Sequence, residues 1–172
     1  YNISGGAVVR WYRDSLAFYL KQAAKERGCS VYDLLNETCP PEPTGLIVLP
    51  FLQGMGGTPD VLTGARGTIY GLTMHTSPAD LYRAILEGLT FEMRYNLEKL
   101  AKYDIRPTTL FAAGGGAKSP VWRQIKADIL GAEIRPTLAD EAGALGSAIL
   151  GLAAATGEKD LSLIHISEPT RP

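Results

Sequence analysis

The chain has 172 residues, enough for one domain with its own core, and its 45% apolar and 20% charged residues are globular composition, not disorder. Its 17 basic and 18 acidic residues give a formal net charge of −1, so charge provides no case for nucleic acid or a membrane surface as partner. No stretch approaches the roughly 18 apolar residues of a spanning helix, and YNISGGAVVRW at the start lacks a basic-then-apolar signal design.

In chain order, WYRDSLAFYLKQAAKER (11–27) spaces its apolar residues as one amphipathic helix ended by Gly28. A short helix follows near VYDLLNE, and PPEP at 40–43 breaks the chain. GLIVLP (45–50) reads as a buried strand. The Gly-rich segment 51–67 has no apolar period and reads as a loop, long enough to suggest function. TIYGL (68–72) reads as a strand. The clearest helix then begins at Ser77, with Pro78 at its first position and Asp80 closing a capping box. Leu81, Ile85, Leu89, Met93, Leu97 and Leu100 form its apolar face, and Arg83 and Glu87 are spaced to pair on its surface.

TLFAA (109–113) reads as a short strand before three glycines, and Ser119-Pro120 starts a helix that runs to about Leu130. AEIRPT (132–137) is a further strand, and Asp140 is placed to cap a last helix over EAGALGSAILGLAAAT. Strand–helix–strand–helix order in this half predicts an α/β layer fold. The two cysteines, Cys29 and Cys39, lack metal-ligand spacing and suit structural thiols in a reducing, cytoplasmic compartment.

The glycines carry the chemistry. Gly114, Gly115 and Gly116 stand between a strand and a helix start, where backbone N–H groups are free and a partial positive charge favours an anion such as phosphate. Lys118 adds a mobile positive charge. Neither common phosphate fingerprint fits: Ala117 precedes Lys118-Ser119 where a P-loop needs glycine, and Ser119 stands at the third glycine of a dinucleotide motif. Spacing alone therefore leaves two readings, an anion cradle or a tight turn that lets helix and strand pack closely.

Other candidates are weaker. Gly143, Ser147 and Gly151, with Ala144 and Ala148 and with Gly146 beside them, present a small-residue face for close helix packing, which could also hold the glycine turn rigid. His75 reads as a solvated loop residue, Asp60 and Arg66 lie in the Gly-rich 51–67 segment as ligand contacts or, for Asp60, a turn residue, and Asp128 reads as a surface charge.

Four segments in order resemble the C-terminal domain of the FGGY family of carbohydrate kinases. GGAVVRWYRD is similar to the family's opening segment of this domain. LPFLQGMGGTPDVLTGARGTIYGLTMHTSPADLYRAILEGLTFEMR is similar to its loop, strand and long helix, with GTIYGLTMHTSPADLYRAILE fitting the second signature pattern. FAAGGGAKSPVWRQIKADILG resembles the adenosine motif, and EAGALGSAILG the helix after it. The flavour is xylulokinase-like. The resemblance implies the superfold shared with actin and Hsp70, in which two α/β domains close on a cleft, with ATP and Mg2+ on the C-terminal side and sugar on the N-terminal side. It implies that Gly115 and Gly116 approach the nucleotide phosphates or ribose, that Ala117, Lys118 and Ser119 line the adenosine pocket, with Gly114 also among the cofactor-binding residues, and that the parent phosphorylates a pentulose-type sugar or polyol.

The sequence also departs from the family. The family's catalytic aspartate and its two phosphate-contacting segments would lie upstream of Tyr1, so this chain alone is expected to be inactive, a remnant that binds nucleotide or packs on a partner being the alternative. Met55-Gly56 stands where many members have an acidic-basic pair. Residues 1–157 read as the domain, and 158–172 as a non-family tail in which LSLIHISEPTRP looks like translated adapter sequence, a vector scar or genuine terminus being the alternative. The sugar would reach the site through the N-terminal domain, and homo-oligomerisation is left open.

Overall fold

A computed structural model of the chain describes residues 5–57, 60–137 and 142–157. The expected cap at Asp140 and the tail at 158–172 lie outside them. The chain begins with three helices, α1 (Gly5–Ser15), α2 (Leu20–Arg27) and α3 (Val31–Thr38). The single helix expected over 11–27 is broken. Leu16, Ala17, Phe18 and Tyr19 are consecutive apolar residues, which no one helix face can bury. The chain turns there, with the Leu16 and Ala17 amides both donating to the Tyr12 carbonyl. Ala17 is buried, while Phe18 and Tyr19 stay exposed. Helix α2 does end at Gly28, and Ser30 with Asp33 makes a capping box that starts α3.

Strand β1 (Ile47–Leu49) pairs antiparallel with β4 (Thr68–Tyr70), with Val48 opposite Ile69. Between them the expected loop contains a small hairpin, β2 (Met55–Gly57) with β3 (Asp60–Leu62). Backbone pairing needs no side-chain alternation, so a Gly-rich segment hides such a hairpin from periodicity.

Helix α4 (Pro78–Ala101) is the spine, started by the expected capping box of Ser77 and Asp80. It is not a one-faced helix: every residue over 82–90 is buried. The core gathers around it, with Val8, Tyr12, Leu35, Val48 and Ile125 packed on Tyr82, Ile85, Leu86 and Leu89. At Gly88 a Cβ would run into the Val48 backbone carbonyl, so glycine lets β1 lie directly on the helix. Because α4 is enclosed here, the Arg83–Glu87 pair expected on the surface is buried instead.

The second half is the expected α/β unit. Strand β5 (Thr109–Ala112) leads into a helical turn α5 (Gly115–Lys118) and then α6 (Pro120–Leu130), and β6 (Glu133–Pro136) returns parallel to β5. Leu110 stands opposite Ile134. Helix α7 (Ala142–Thr156) closes the described chain. Its glycines do not make the expected tight seam: no described residue lies within 4 Å of a Cβ built on Gly143, Gly146 or Gly151. No described helix is long and apolar enough to cross a membrane.

Candidate functional site

The glycines join β5 to α6, but not as a bare loop. Gly114 takes a φ of 78°, a left-handed conformation that L side chains avoid, and it is the hinge between the strand and the turn. Residues 115–118 then complete one helical turn, closed by the Ala117 amide donating to the Gly114 carbonyl at 3.0 Å. Ser119 leaves the turn in extended conformation and starts α6, its Oγ accepting from the Trp122 amide at 3.1 Å. Pro120 follows at the first helical position, where its missing N–H has no intrahelical acceptor to lose.

The six predicted residues divide by surroundings. Gly114, Gly115 and Lys118 are exposed, Gly116 and Ser119 half-buried, and Ala117 buried. A Cβ built on Gly115 meets nothing within 4 Å, so its backbone is open to an approaching ligand. Gly116 differs: a Cβ there would lie 2.6 Å from Cζ3 of Trp122. Its lack of a side chain lets the turn sit on the indole, so both readings of the glycines hold, at different residues.

Trp122 is the platform under the turn, and sequence reasoning did not single it out. Its Nε1 donates to Thr90 Oγ1 at 3.1 Å, and that hydroxyl donates to the Leu86 carbonyl at 2.7 Å inside α4. The Lys126 ammonium stands 4.1 Å from the ring centroid, a cation–π contact. The indole is therefore fixed at its N–H, its ring edge and its face. Its spacing from Gly116 within one motif was the available signal.

Lys126 itself is buried, which lowers its ammonium to about 8. An unfolded lysine titrates near about 10.4. Below pH 8 the group is charged in both states, and the desolvation penalty opposes folding in full. Between these values the unfolded chain keeps a proton that the folded chain releases, so stability rises with pH. Lys126→Met is expected to be more stable than the parent near neutrality, with a gap that narrows as pH rises through that window. Urea midpoints for the two proteins across the range check this, and a pH-independent gap would overturn it.

Ser119 is tied down further, its Oγ donating to Asn36 Oδ1 of α3 at 2.8 Å. The other candidates play no part in this turn. His75 is exposed and its amide donates to Thr73 Oγ1, Arg66 bonds its own loop's carbonyls, and exposed Asp128 accepts from Gln124. Asp60 opens β3. Cys29 and Cys39 are free thiols. Among the described residues no three His, Cys, Asp or Glu side chains converge to hold a metal ion. Elsewhere, an apolar groove of about 360 Å³ runs beside β1, lined by Ile47, Leu49, Phe51, Phe91 and Tyr95 among others.

Comparison with known proteins shows the family and the fold. The profile of the FGGY family of carbohydrate kinases, C-terminal domain, matches residues 1–155. Gluconokinase of Bacillus subtilis (strain 168) is 36% identical over 164 residues, covering 91% of this chain and 31% of that protein. The solved ligand-bound xylulose kinase from Lactobacillus acidophilus superposes with a TM-score of 0.72 at 29% identity, covering 94% of this chain and 31% of that one. Plasmodium falciparum glycerol kinase, solved with ADP, gives a TM-score of 0.67 at 27% identity, over 92% of this chain and 30% of that one. The chain thus spans about a third of the length of these relatives, and its fold is that of the actin-like ATPase superfold in these sugar kinases. It belongs to the FGGY family of carbohydrate kinases, as a C-terminal domain.

Proposed function

We propose that this chain is the nucleotide-side part of an ATP-dependent carbohydrate kinase, and that residues 114–119 hold the nucleotide. The observation that carries this reading is the exposed backbone at Gly115, open on its Cα and set between the Gly114 hinge and the Trp122 platform. Gly114 and Gly115 would face the phosphates, Gly116 would keep the turn seated, and Ala117, Lys118 and Ser119 would flank the adenosine. The transferred phosphoryl group would go from ATP to a hydroxyl of a pentulose-type sugar or polyol. Gluconokinase and xylulose kinase among the relatives make linear polyhydroxy compounds the class to test.

Phosphoryl transfer depends on positioning and on neutralising charge, and a metal ion would supply much of the second. The described residues gather no metal cluster, so the Mg2+ of this proposal travels with the nucleotide and no step is assigned to it here. The chain's own contribution is to present backbone N–H groups, to keep Lys118 beside them, and to hold that turn against α4 through Trp122. The sugar and the catalytic base would come from an N-terminal kinase domain. The apolar groove beside β1 supports a polypeptide partner. A cytoplasmic setting, supported by the two free thiols, completes the proposal.

Calorimetric titration of the chain with ATP and ADP tests the nucleotide reading, with saturable binding of both expected. Coupled assays with ATP and gluconate, xylulose, ribulose or glycerol are expected to show no turnover by the chain alone. Absent nucleotide binding by a folded chain would favour a packing role instead, and turnover of any of these sugars would overturn the proposed division of labour.

A further inference from the structure

Asn36 lies on α3, 83 residues before Ser119, outside every segment that carries the family resemblance. Its Oδ1 accepts two hydrogen bonds, from Ser119 Oγ at 2.8 Å and from Tyr82 OH at 3.2 Å. Tyr82 is buried in α4 and packs on Tyr12, with ring centroids 5.6 Å apart. Helix α3 is anchored by buried Leu34 and Leu35 and by its own capping box. The amide oxygen is therefore held by two elements of the core, and Ser119 is attached to it.

The Ser119 hydroxyl has one proton to give. Its oxygen already accepts from the Trp122 amide, so the proton goes to Asn36 and its local bonding is complete. This fixes the residue where the 115–118 turn ends and α6 begins. Trp122 supports the turn from below, and Asn36 ties its far end to the first helical layer.

We infer that Asn36 is a positioning residue for the nucleotide: by accepting from Ser119 it sets the placement of the glycine turn, without itself touching the ligand. The inference rests on the reading of residues 114–119 as the nucleotide-binding turn, but it has a readout that does not need nucleotide.

Hydrogen exchange of the intact 172-residue chain, followed by mass spectrometry on peptides covering 113–119, supplies that readout. In Asn36→Ala, exchange in this segment is expected to rise about tenfold over the change elsewhere, the equivalent of one lost hydrogen bond. The Kd for ATP and ADP is expected to rise by a similar factor. Asn36→Asp keeps an acceptor of the same shape and should restore the exchange, its added charge making it a test of the turn's placement only. Tyr82→Phe removes the other bond to the same oxygen, and should lower Tm while leaving the segment's relative exchange and the Kd as in the parent.

If Asn36→Ala does not fold, Asn36→Ser makes the same comparison with a side chain too short to reach Ser119. Uniform loosening, with no excess at 113–119, would overturn the inference and leave Asn36 a stability residue. Excess exchange with unchanged Kd would overturn it too, by separating the turn's placement from binding. If the parent chain binds no nucleotide, the proposed function falls, and the inference falls with it as a statement about ligand. The exchange result would then say whether Asn36 places the turn at all.

Discussion

Gly115→Asp is expected to abolish binding of ATP and ADP while leaving the chain folded. Both halves follow from the surroundings of Gly115. Its φ is not in the left-handed region, and a Cβ there meets nothing within 4 Å, so the new side chain finds room without strain. What changes is charge. The first turn's N–H groups favour an anion, and the substitution supplies a carboxylate where phosphate would lie. Two like charges about 4 Å apart near a protein surface repel by about 4 kcal/mol at an effective dielectric constant of about 20, enough to raise Kd a hundredfold or more.

Calorimetry measures the affinity, and far-UV circular dichroism with a thermal melt confirms the fold. Gly116→Ala gives the contrasting result. Its Cβ would lie 2.6 Å from an indole held by Thr90 and Lys126, so Tm should fall. Unchanged affinity in a folded Gly115→Asp chain would remove this turn from the nucleotide site.

That difference between neighbouring glycines was not legible in the sequence, where three identical residues stand in a row. What was legible is local chemistry. The Ser77–Asp80 box, the Ser119 cap and the stop at Gly28 are set by residues within three or four positions of each other, and each appears as expected. The order of the segments located the turn between β5 and α6 for the same reason.

What depends on distant partners was hidden. The apolar spacing of 11–27 as a whole suggests one helix, but the core accepts Ala17 alone of Leu16, Ala17, Phe18 and Tyr19 and turns the chain there. Lys126 looks like an exposed helix residue until Trp122 and the packing of α6 enclose it. Gly143, Ser147 and Gly151 repeat at a packing interval, yet spacing offers a seam without providing the helix that would fill it. Asn36 carries no motif, and its meaning comes from Ser119 and Tyr82 alone.

Arg83 and Glu87 show the same limit with the larger energetic consequence. Their spacing of four is that of an exposed helical pair, worth a few tenths of a kcal/mol. In the fold their side chains are 8% and 10% exposed, with Arg83 Nε donating to Glu87 Oε1 at 2.8 Å. Arg83 Nη1 donates to the Pro40 carbonyl at 2.8 Å, tying α4 to the segment after α3. Burial there is deep enough to push the neighbouring Cys39 thiol up to about 11, against the opposing pull of Arg83.

Glu87→Ala would leave the guanidinium enclosed with a carbonyl but no counter-charge, a loss of about 3–5 kcal/mol. Against a total stability of about 5–15 kcal/mol, this unfolds a large fraction of the chain at moderate urea. Replacing both residues, Arg83→Met with Glu87→Leu, removes the stranded charge and should recover most of that loss, leaving the Pro40 carbonyl as the group without its donor. Urea midpoints for the parent, single and double variants decide the matter. A single-variant loss below about 1 kcal/mol would mean that the pair behaves as an exposed one. A double variant no better than the single would mean that losing the bond to the Pro40 carbonyl costs as much as removing the stranded charge recovers.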